Sequence, residues 1–519
     1  MPSKRHLLRG SMVVGFFSFL GSATGIIVEI SIAAHLGLSR GSDTFYIAFT
    51  IPYLITTLIT ATGQFSLVPF FSSFDAAGGE VWLGFSYAFN MVVAGLAAIA
   101  VAGAALAPWV IRGIAPGFTL AESAASARLA RWLFFVIIPA GGAEVFRSLL
   151  FSQHRFAIGS AASFLRNIAV IALILGGFHR YGDYSIVIGY FAGYILQFCI
   201  LGGQAFHVLP VRYTLKFRGA GRAFRRLHGA GASQILTALG WQALVLIERV
   251  IASFLPPGTI TALNYGLKIM TTIGELISGS VGTSALPSLS RAAQKGGDAA
   301  RAIFRDAFEI SLVAVTPVMA CCLVFSGPIM KLFFERGRFS AEATDRMALI
   351  FFCYCLSLLF WSALRLLIYY LFAQHQMRGF LKLCALYYGV TAALDVAYVA
   401  GFHLGGKGIP LALLTSLIVT WAASYVWNIG GIREILDRAL QHLLAKDLAA
   451  AVIAGVVMWR LGVWLGPVRG APHLALFLFE ACVAGIIVFL AAMAALRAVP
   501  LSRMLGGWKF GDDDSRLSL

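Results

Sequence analysis

Long apolar segments separated by short polar loops dominate this chain. A helix of about 20 apolar residues is long enough to cross a bilayer, and the segments do not alternate apolar and polar residues as barrel strands do. We therefore predict an all-α polytopic membrane protein with about fourteen spans. The predicted spans cover residues 11–36, 43–73, 81–108, 128–152, 157–178, 184–207, 230–254, 258–290, 305–331, 343–373, 377–402, 408–430, 447–466 and 471–497.

Ionisable side chains interrupt the seventh and eighth predicted spans, within residues 247–291. The two spans meet at the turn Pro256-Pro257-Gly258, and the ionisable residues are Glu248, Arg249, Lys268 and Glu275. A charge inside a spanning helix costs several kcal/mol, so it usually faces a partner or a wet cavity. We expect this stretch to contribute to a functional site.

The same plan occurs earlier in the chain, where residues 28–69 align with 247–287. The aligned pairs are Glu29 with Glu248, Tyr46 with Tyr265, and Pro69 with Pro287. The recurrence of acid, turn, tyrosine and proline in one order indicates two repeated halves, although two apolar segments can also align by chance. Repeated transporters hold their binding site between the halves.

Composition agrees with a membrane protein: 59% of the 519 residues are hydrophobic and 12% are charged. The formal net charge is +17, which we assign to loop lysines and arginines that set topology and meet anionic lipid. No basic soluble domain is evident, so we expect no nucleic-acid partner. The seven cysteines lie in apolar runs without metal-ligand spacing and are interpreted as small buried hydrophobic residues.

Basic residues concentrate in the loops on one side of the predicted spans. The longest such loop, residues 208–229, contains six arginines and lysines and no acid. Because loops rich in Lys and Arg stay in the cytoplasm, we expect both termini to be cytoplasmic.

Several motifs together resemble the MurJ/MviN lipid II flippase family of the multidrug/oligosaccharidyl-lipid/polysaccharide (MOP) exporter superfamily. The stretch 252–291 is similar to that family's seventh and eighth helices, FFERGRFS at 333–340 to its turn before the tenth helix, and GKGIPLALLTSL at 406–417 to its twelfth-helix entry. The first helix pair is similar at Gly37, Asp43, Phe45, Ala48, Phe49 and Pro52.

The resemblance implies two pseudo-repeated lobes of MATE-like fold, a cationic central cavity, alternating access, and two extra C-terminal helices that help to hold a polyprenyl tail. The implied domains are an N-lobe (1–207), a basic cytoplasmic linker (208–229), a C-lobe (230–430), a cytoplasmic loop (431–446), the helix pair with its lipid-tail groove (447–497) and a cytoplasmic tail (498–519).

The chain departs from the family pattern where that pattern places arginines. The family's first helix typically reads Ser-Arg-x-x-Gly-x-x-Arg-acid; here residues 21–29 keep Gly25 and Glu29 but have neither arginine. Thr56 replaces an arginine expected after the second-helix proline, and Lys268 stands at an eighth-helix arginine position. A lysine is a point charge and cannot hold a phosphate bidentately as arginine does.

Lys268 is the first candidate for binding a pyrophosphate, because phosphate oxygens gain most from a fixed cation in a low-dielectric cleft. Its alternative role is to pair with Glu248 or Glu275.

Two further candidates also have alternative structural roles. Asp43 could cap a helix and Arg147 could pair with Glu144, in place of binding substrate. The further substrate-binding candidates are Arg249, Glu29, Asp43, Glu248, Arg147, Arg166 and Arg365, of which Arg166 and Arg365 could replace the missing first-helix arginines.

Asp395, in the eleventh predicted span, is a candidate sodium ligand, although carbonyl and hydroxyl oxygens would have to complete the site. We expect no cofactor, with coupling to sodium or protons as the open alternatives. The chain contains no nucleophile–base set, Walker loop or H-E-x-x-H motif, so we expect a transporter and not an enzyme.

The leading hypothesis is a flippase that moves an undecaprenyl-pyrophosphate-linked glycan, similar to lipid II, across the bacterial inner membrane. The alternatives are a flippase for another lipid-linked oligosaccharide, in exopolysaccharide or O-antigen export, and a non-transporting membrane scaffold of the same fold. The expected partners are the lipid-linked glycan and membrane lipids, and we expect a monomer.

Overall fold

The computed structural model describes residues 4–73, 80–208, 213–215, 232–295, 297–465 and 470–496. All regular secondary structure in these ranges is helical, which confirms the predicted all-α class. Most of the predicted linker at 208–229 and the whole tail at 498–519 lie outside the described residues.

Nineteen α-helices, numbered here in chain order, make up most of the described chain. The first nine are α1 (Lys4–Leu36), α2 (Arg40–Thr62), α3 (Val68–Ser72), α4 (Glu80–Ile114), α5 (Leu120–Leu133), α6 (Ile137–Ser152), α7 (Phe156–Tyr181), α8 (Tyr184–Val208) and α9 (Ala232–Ala252). The other ten are α10 (Thr259–Gly274), α11 (Ser280–Lys295), α12 (Gly297–Val324), α13 (Ser326–Phe334), α14 (Ala341–Ala373), α15 (Met377–Val396), α16 (Gly408–Val426), α17 (Ile432–Ile435), α18 (Arg438–Leu465) and α19 (Ala471–Ala495).

Twelve helical segments in the described part of the chain are long and apolar enough to cross a membrane. The other two predicted spans, the seventh and eighth, are helical as well and correspond to α9 and to α10 with α11. Both carry ionisable residues, as several of the twelve also do.

The chain forms two compact units. The N-terminal unit contains residues 1–261 together with Arg336–Ser340, and the C-terminal unit contains residues 262–335 and 341–519. The lobe limits inferred from the family resemblance stay a prediction.

Each unit has its own apolar core. In the N-terminal unit, aromatic residues from α3, α4 and α6 pack together around the fully buried Phe71, Phe85 and Leu149. In the C-terminal unit, α18 and α19 pack against α12 through small or flexible residues such as Ala454 and Met458. Small residues let membrane helices approach closely, which holds this last helix pair against the rest of the unit.

A five-residue π-helical segment interrupts the first helices of each repeat. Gly63–Leu67 separates α2 from α3, and Glu275–Gly279 separates α10 from α11. A third such segment, Ala397–Gly401, follows α15. Single-turn π segments are rare and often occur at functional sites, so these positions direct attention to the side chains around them.

Candidate functional site

Asp43 is completely buried near the start of α2 and caps the start of a different helix, α10. Its Oδ2 accepts a hydrogen bond from the Gly258 amide at 2.7 Å, and its Oδ1 accepts from the Thr261 amide at 2.9 Å and the Thr261 hydroxyl at 2.7 Å. The free N–H groups and partial positive charge at a helix start favour such a carboxylate. The cap of α2 itself comes from Ser39, through a capping box with Ser42.

The Pro256-Pro257-Gly258 turn is built for this close approach. Gly258 has a φ of +84°, and a Cβ there would lie 2.9 Å from the Leu38 backbone. Arg249, near the end of α9, donates to the Ile260 carbonyl at 3.1 Å and so also braces the turn. The turn and the start of α2 therefore form one hydrogen-bonded junction within the N-terminal unit.

Glu29 accepts a hydrogen bond from the Tyr46 hydroxyl at 2.5 Å. Both residues belong to the first repeat, and their aligned partners behave differently. Tyr265 is fully buried and stacks on Phe334 with ring centroids 4.8 Å apart. In the described residues, no cation lies within salt-bridge distance of Glu248.

Arg147 pairs with Glu144, as the i, i+3 spacing predicts, at 2.5 Å in the interior of the N-terminal unit. The Glu144 carboxylate lies against Gly63, the first residue of the first π segment; a Cβ on Gly63 would lie 2.3 Å from Glu144 Oε1. Glycine at this position therefore makes room for the ion pair.

Arg365 pairs with Glu275, the first residue of the second π segment, at 2.7 Å. The guanidinium also lies over the rings of Trp361 and Tyr369, at 5.9 Å and 5.5 Å. A carboxylate–arginine pair thus accompanies the π segment in both repeats. The Glu275 side chain is 44% exposed and that of Arg365 37%, so this pair is less buried than Arg147 with Glu144.

Arg166 on α7 is held by neutral groups. Its guanidinium donates to Asn167 Oδ1 at 3.1 Å and to Gln197 Oε1 at 3.1 Å, and it lies 4.8 Å above the Tyr194 ring. Among the described residues, no carboxylate lies within salt-bridge distance of it. The charge of Arg166 is therefore held in position by neutral groups, with Glu144 as a more distant acid.

Asn167 connects this arginine to the first helix. Its amide donates to the Gly21 carbonyl at 3.0 Å and to the Thr24 hydroxyl at 3.2 Å. These two residues of α1 flank the position where the family pattern has its first arginine. The network places Arg166 beside the segment from which the expected arginines are missing.

Lys268 is partly buried on α10, and no carboxylate lies within salt-bridge distance of its ammonium in the described part of the chain. Of its two alternative partners, Glu275 is already bound to Arg365. Lys268 and Arg166 are thus cations in apolar helices that have no carboxylate within salt-bridge distance among the described residues.

Asp395 is completely buried on α15, one turn beyond Thr391, whose hydroxyl bonds to Ser416 at 2.7 Å. Hydroxyl oxygens therefore occur on the same face as the carboxylate, as a sodium site would need. The described residues contain no cluster of three or more His, Cys, Asp or Glu side chains able to hold a metal. The sodium site at Asp395 stays a prediction.

Three neutral residues, Asn167, Gln197 and Thr261, were missed by the sequence analysis. Asn167 and Gln197 are buried polar residues in apolar helices, a signal that could have singled them out. Thr261 carried no such signal, because a threonine in the first turn of a helix is common.

Comparison with known proteins identifies the family. The profile described as "Lipid II flippase MurJ" matches residues 32–475, most of the chain. The chain belongs to the MurJ family.

Relatives in the MurJ family support this assignment along the chain. The lipid II flippase MurJ of Burkholderia cenocepacia is 25% identical over 475 residues, covering 88% of this chain and 90% of its own length. A protein named probable lipid II flippase MurJ from Rhizobium meliloti is 27% identical, covering 85% and 86%.

Solved structures show that the fold is that of MurJ and of MATE transporters. A structure of MurJ in an inward closed conformation has a TM-score of 0.78 at 19% identity and covers 96% of this chain and 99% of its own. An inward-facing MATE transporter of the MOP superfamily has a TM-score of 0.66 at 14% identity, covering 81% and 94%. The family and the candidate spans together indicate a multi-pass protein of the bacterial inner membrane.

Proposed function

We propose that this chain is a flippase that carries lipid II, an undecaprenyl-pyrophosphate-linked glycan, across the bacterial inner membrane by alternating access. The observation that carries the proposal is the MurJ family match over residues 32–475. The relatives are named for lipid II, and this favours lipid II over another lipid-linked oligosaccharide or a scaffold without transport. Flipping needs no covalent step, in agreement with a transporter and not an enzyme.

The substrate pyrophosphate needs positive charge inside the membrane, and Arg166 and Lys268 are best suited to supply it. A buried cation without an acid partner gains most from an arriving anion, whereas one that is already paired must first lose its partner. Arg166 presents a guanidinium, which can bind a phosphate with two parallel hydrogen bonds. In this chain Arg166 replaces the family's first-helix arginines as a phosphate-binding group.

Arg147 and Arg365 are already bound to Glu144 and Glu275. We assign them the supporting role of holding the π segments in each repeat. Asp43 and Arg249 hold the Pro256-Pro257-Gly258 turn in place. Glu29, which binds Tyr46, and Glu248 are the remaining acidic candidates for contact with the substrate. The orientation with both termini in the cytoplasm, the monomeric state, and coupling to sodium through Asp395 or to protons belong to the same proposal.

Replacement of a bacterial host's essential flippase tests the proposal. The chain should sustain growth when the host MurJ is depleted, and lipid II should not accumulate on the cytoplasmic side. Arg166→Ala and Lys268→Ala should each abolish complementation at near-normal membrane abundance, while Lys268→Arg should keep it. Arg180→Ala changes an exposed arginine in the last turn of α7 and serves as the control.

Two results would contradict the proposal. Full complementation by both alanine variants would remove these cations from substrate binding. Failure of the parent chain to support growth, with accumulation of a different lipid-linked saccharide in its native host, would assign the transport to another substrate.

A further inference from the structure

A cavity of about 490 Å³ opens in the C-terminal unit at a shared end of five helices. Its wall includes Val324 at the end of α12, Ala341 at the start of α14, Val463 near the end of α18 and Leu474 near the start of α19, with α13 between them. Four of these helices are candidate spans, so the cavity lies where spans end and lipid headgroups begin.

The interior and rim of this cavity differ in chemistry. The interior is apolar, with the buried Phe325 packed edge-on against Phe477, their ring centroids 5.6 Å apart. The rim carries one cation and two acids, Lys331, Glu335 and Asp345. An apolar interior suits an acyl chain, and a rim with charges of both signs suits a headgroup that has one positive and one negative charge.

The rim charges are only loosely paired. Lys331 and Glu335 form a long ion pair without a hydrogen bond, with 3.8 Å between Nζ and Oε1, and the lysine side chain is 53% exposed, so a ligand has only a weak contact to displace. Asp345 is exposed near the start of α14. The exposed Trp459 completes the wall, and tryptophan is enriched at the membrane–water interface.

We propose that this cavity binds a zwitterionic phospholipid with a primary ammonium, phosphatidylethanolamine. Lys331 holds the phosphate, and Glu335 and Asp345 accept hydrogen bonds from the ammonium. An acyl chain lies over Phe325 and Phe477. A choline headgroup cannot donate these hydrogen bonds. Phosphatidylglycerol offers a phosphate to Lys331 but has no ammonium for Glu335 and Asp345.

The test measures lipid binding to the purified full-length protein by native mass spectrometry, independently of transport. The probes are phosphatidylethanolamine, phosphatidylglycerol and undecaprenyl phosphate. We expect phosphatidylethanolamine to bind about five-fold more tightly than phosphatidylglycerol, the modest preference expected of partly exposed charges. The double variant Glu335→Gln/Asp345→Asn should lose that preference. Glu342→Gln changes an exposed acid on α14 outside the cavity wall and should bind as the parent does.

Equal binding of phosphatidylethanolamine and phosphatidylglycerol by the parent, or tighter binding of undecaprenyl phosphate, overturns the proposal. An unchanged preference in the double variant does the same. If the double variant does not fold, a second measurement uses brominated lipids, which quench the fluorescence of a nearby tryptophan. The part of the quenching that disappears in Trp459→Phe reports lipid in this cavity. That part should be larger with brominated phosphatidylethanolamine than with brominated phosphatidylglycerol, and an equal effect of the two lipids contradicts the site.

Discussion

At the residue scale, the ionisable side chains inside the membrane helices divide by what surrounds them. Arg147 and Arg365 have carboxylate partners, whereas Arg166 is held by amides and an aromatic ring. A charge without a counter-charge is expensive in an apolar helix, and it persists where a ligand or water compensates it. This difference separates candidate binding groups from supporting groups more sharply than residue type does.

Asp43 leads to the first prediction at this scale. In Asp43→Asn, only one side-chain oxygen remains to accept, and the new amide faces a backbone N–H. The variant should lose about 1–3 kcal/mol of stability, because a buried donor is left unsatisfied. Thermal unfolding in detergent should show a lower melting temperature. Asp298→Asn, at a side chain that is 95% exposed, should melt close to the parent. Equal melting of parent and Asp43→Asn would show that the cap is energetically unimportant.

At the element scale, the segment Arg336–Ser340 belongs to the N-terminal unit although it follows α13 of the other unit. The Arg338 amide donates to the Ala34 carbonyl at 2.9 Å, at the end of α1. Gly337 has a φ of +61°, and a Cβ there would lie 2.2 Å from the Ala34 oxygen. This segment lies within the family-like motif FFERGRFS. The glycine of that motif therefore allows the close contact with the Ala34 carbonyl, which a side chain would block.

Gly337→Ala should displace this segment from α1. Alanine at positive φ costs about 1 kcal/mol, and the clash with a backbone oxygen adds to it. We expect a lower melting temperature and faster proteolysis at 336–340. Gly327→Ala, in helix α13 with open space around the new methyl, should be neutral or stabilising by about 0.5–1 kcal/mol. A Gly337→Ala protein as stable as the parent would mean that the segment can shift freely.

The start of α18 provides a pH-dependent prediction. Asp437 caps this helix, since its Oδ1 accepts from the Leu440 amide at 2.8 Å. That hydrogen bond, with the nearby Arg305 guanidinium, lowers the pKa of Asp437 below its ordinary value of 3.8. A lowered pKa stabilises the folded state above pH 3.8 and ceases to do so as the pH falls through the folded value.

The melting temperature of Asp437→Asn should therefore lie slightly below that of the parent at neutral pH, and the gap should close below pH 3.8. The effect is small because the side chain is exposed. Asp437→Ala, which also loses the cap, should retain a deficit at low pH. A gap that widens on acidification would contradict the assignment.

At the scale of the whole molecule, two units with separate cores and a family shared with flippases fit a protein that works by alternating access. The distribution of basic loops predicts which ends of the helices face the cytoplasm.

Cysteine labelling in intact cells tests this orientation. In a variant without the seven native cysteines, Leu215→Cys should resist a membrane-impermeant thiol reagent, because it lies in the basic loop between the sixth and seventh spans. Glu342→Cys should react readily, since it lies between the ninth and tenth predicted spans. Both side chains are exposed, so burial does not explain a difference. The reverse pattern would invert the topology.

The sequence by itself determined the helical membrane class, the approximate spans, the family and the set of intramembrane charges. The class, the spans and the charges depend on residue type and local periodicity, which a stretch of about 20 residues displays, and the family depends on motifs such as FFERGRFS. Only the tertiary structure decided what each charge does. Glu275 binds Arg365, Asp43 caps a helix more than two hundred residues later, and Arg166 reaches α1 through Asn167. Such partners come from helices far apart in the chain. Helical periodicity predicts which side of a helix is buried, but it does not predict which distant side chain packs there.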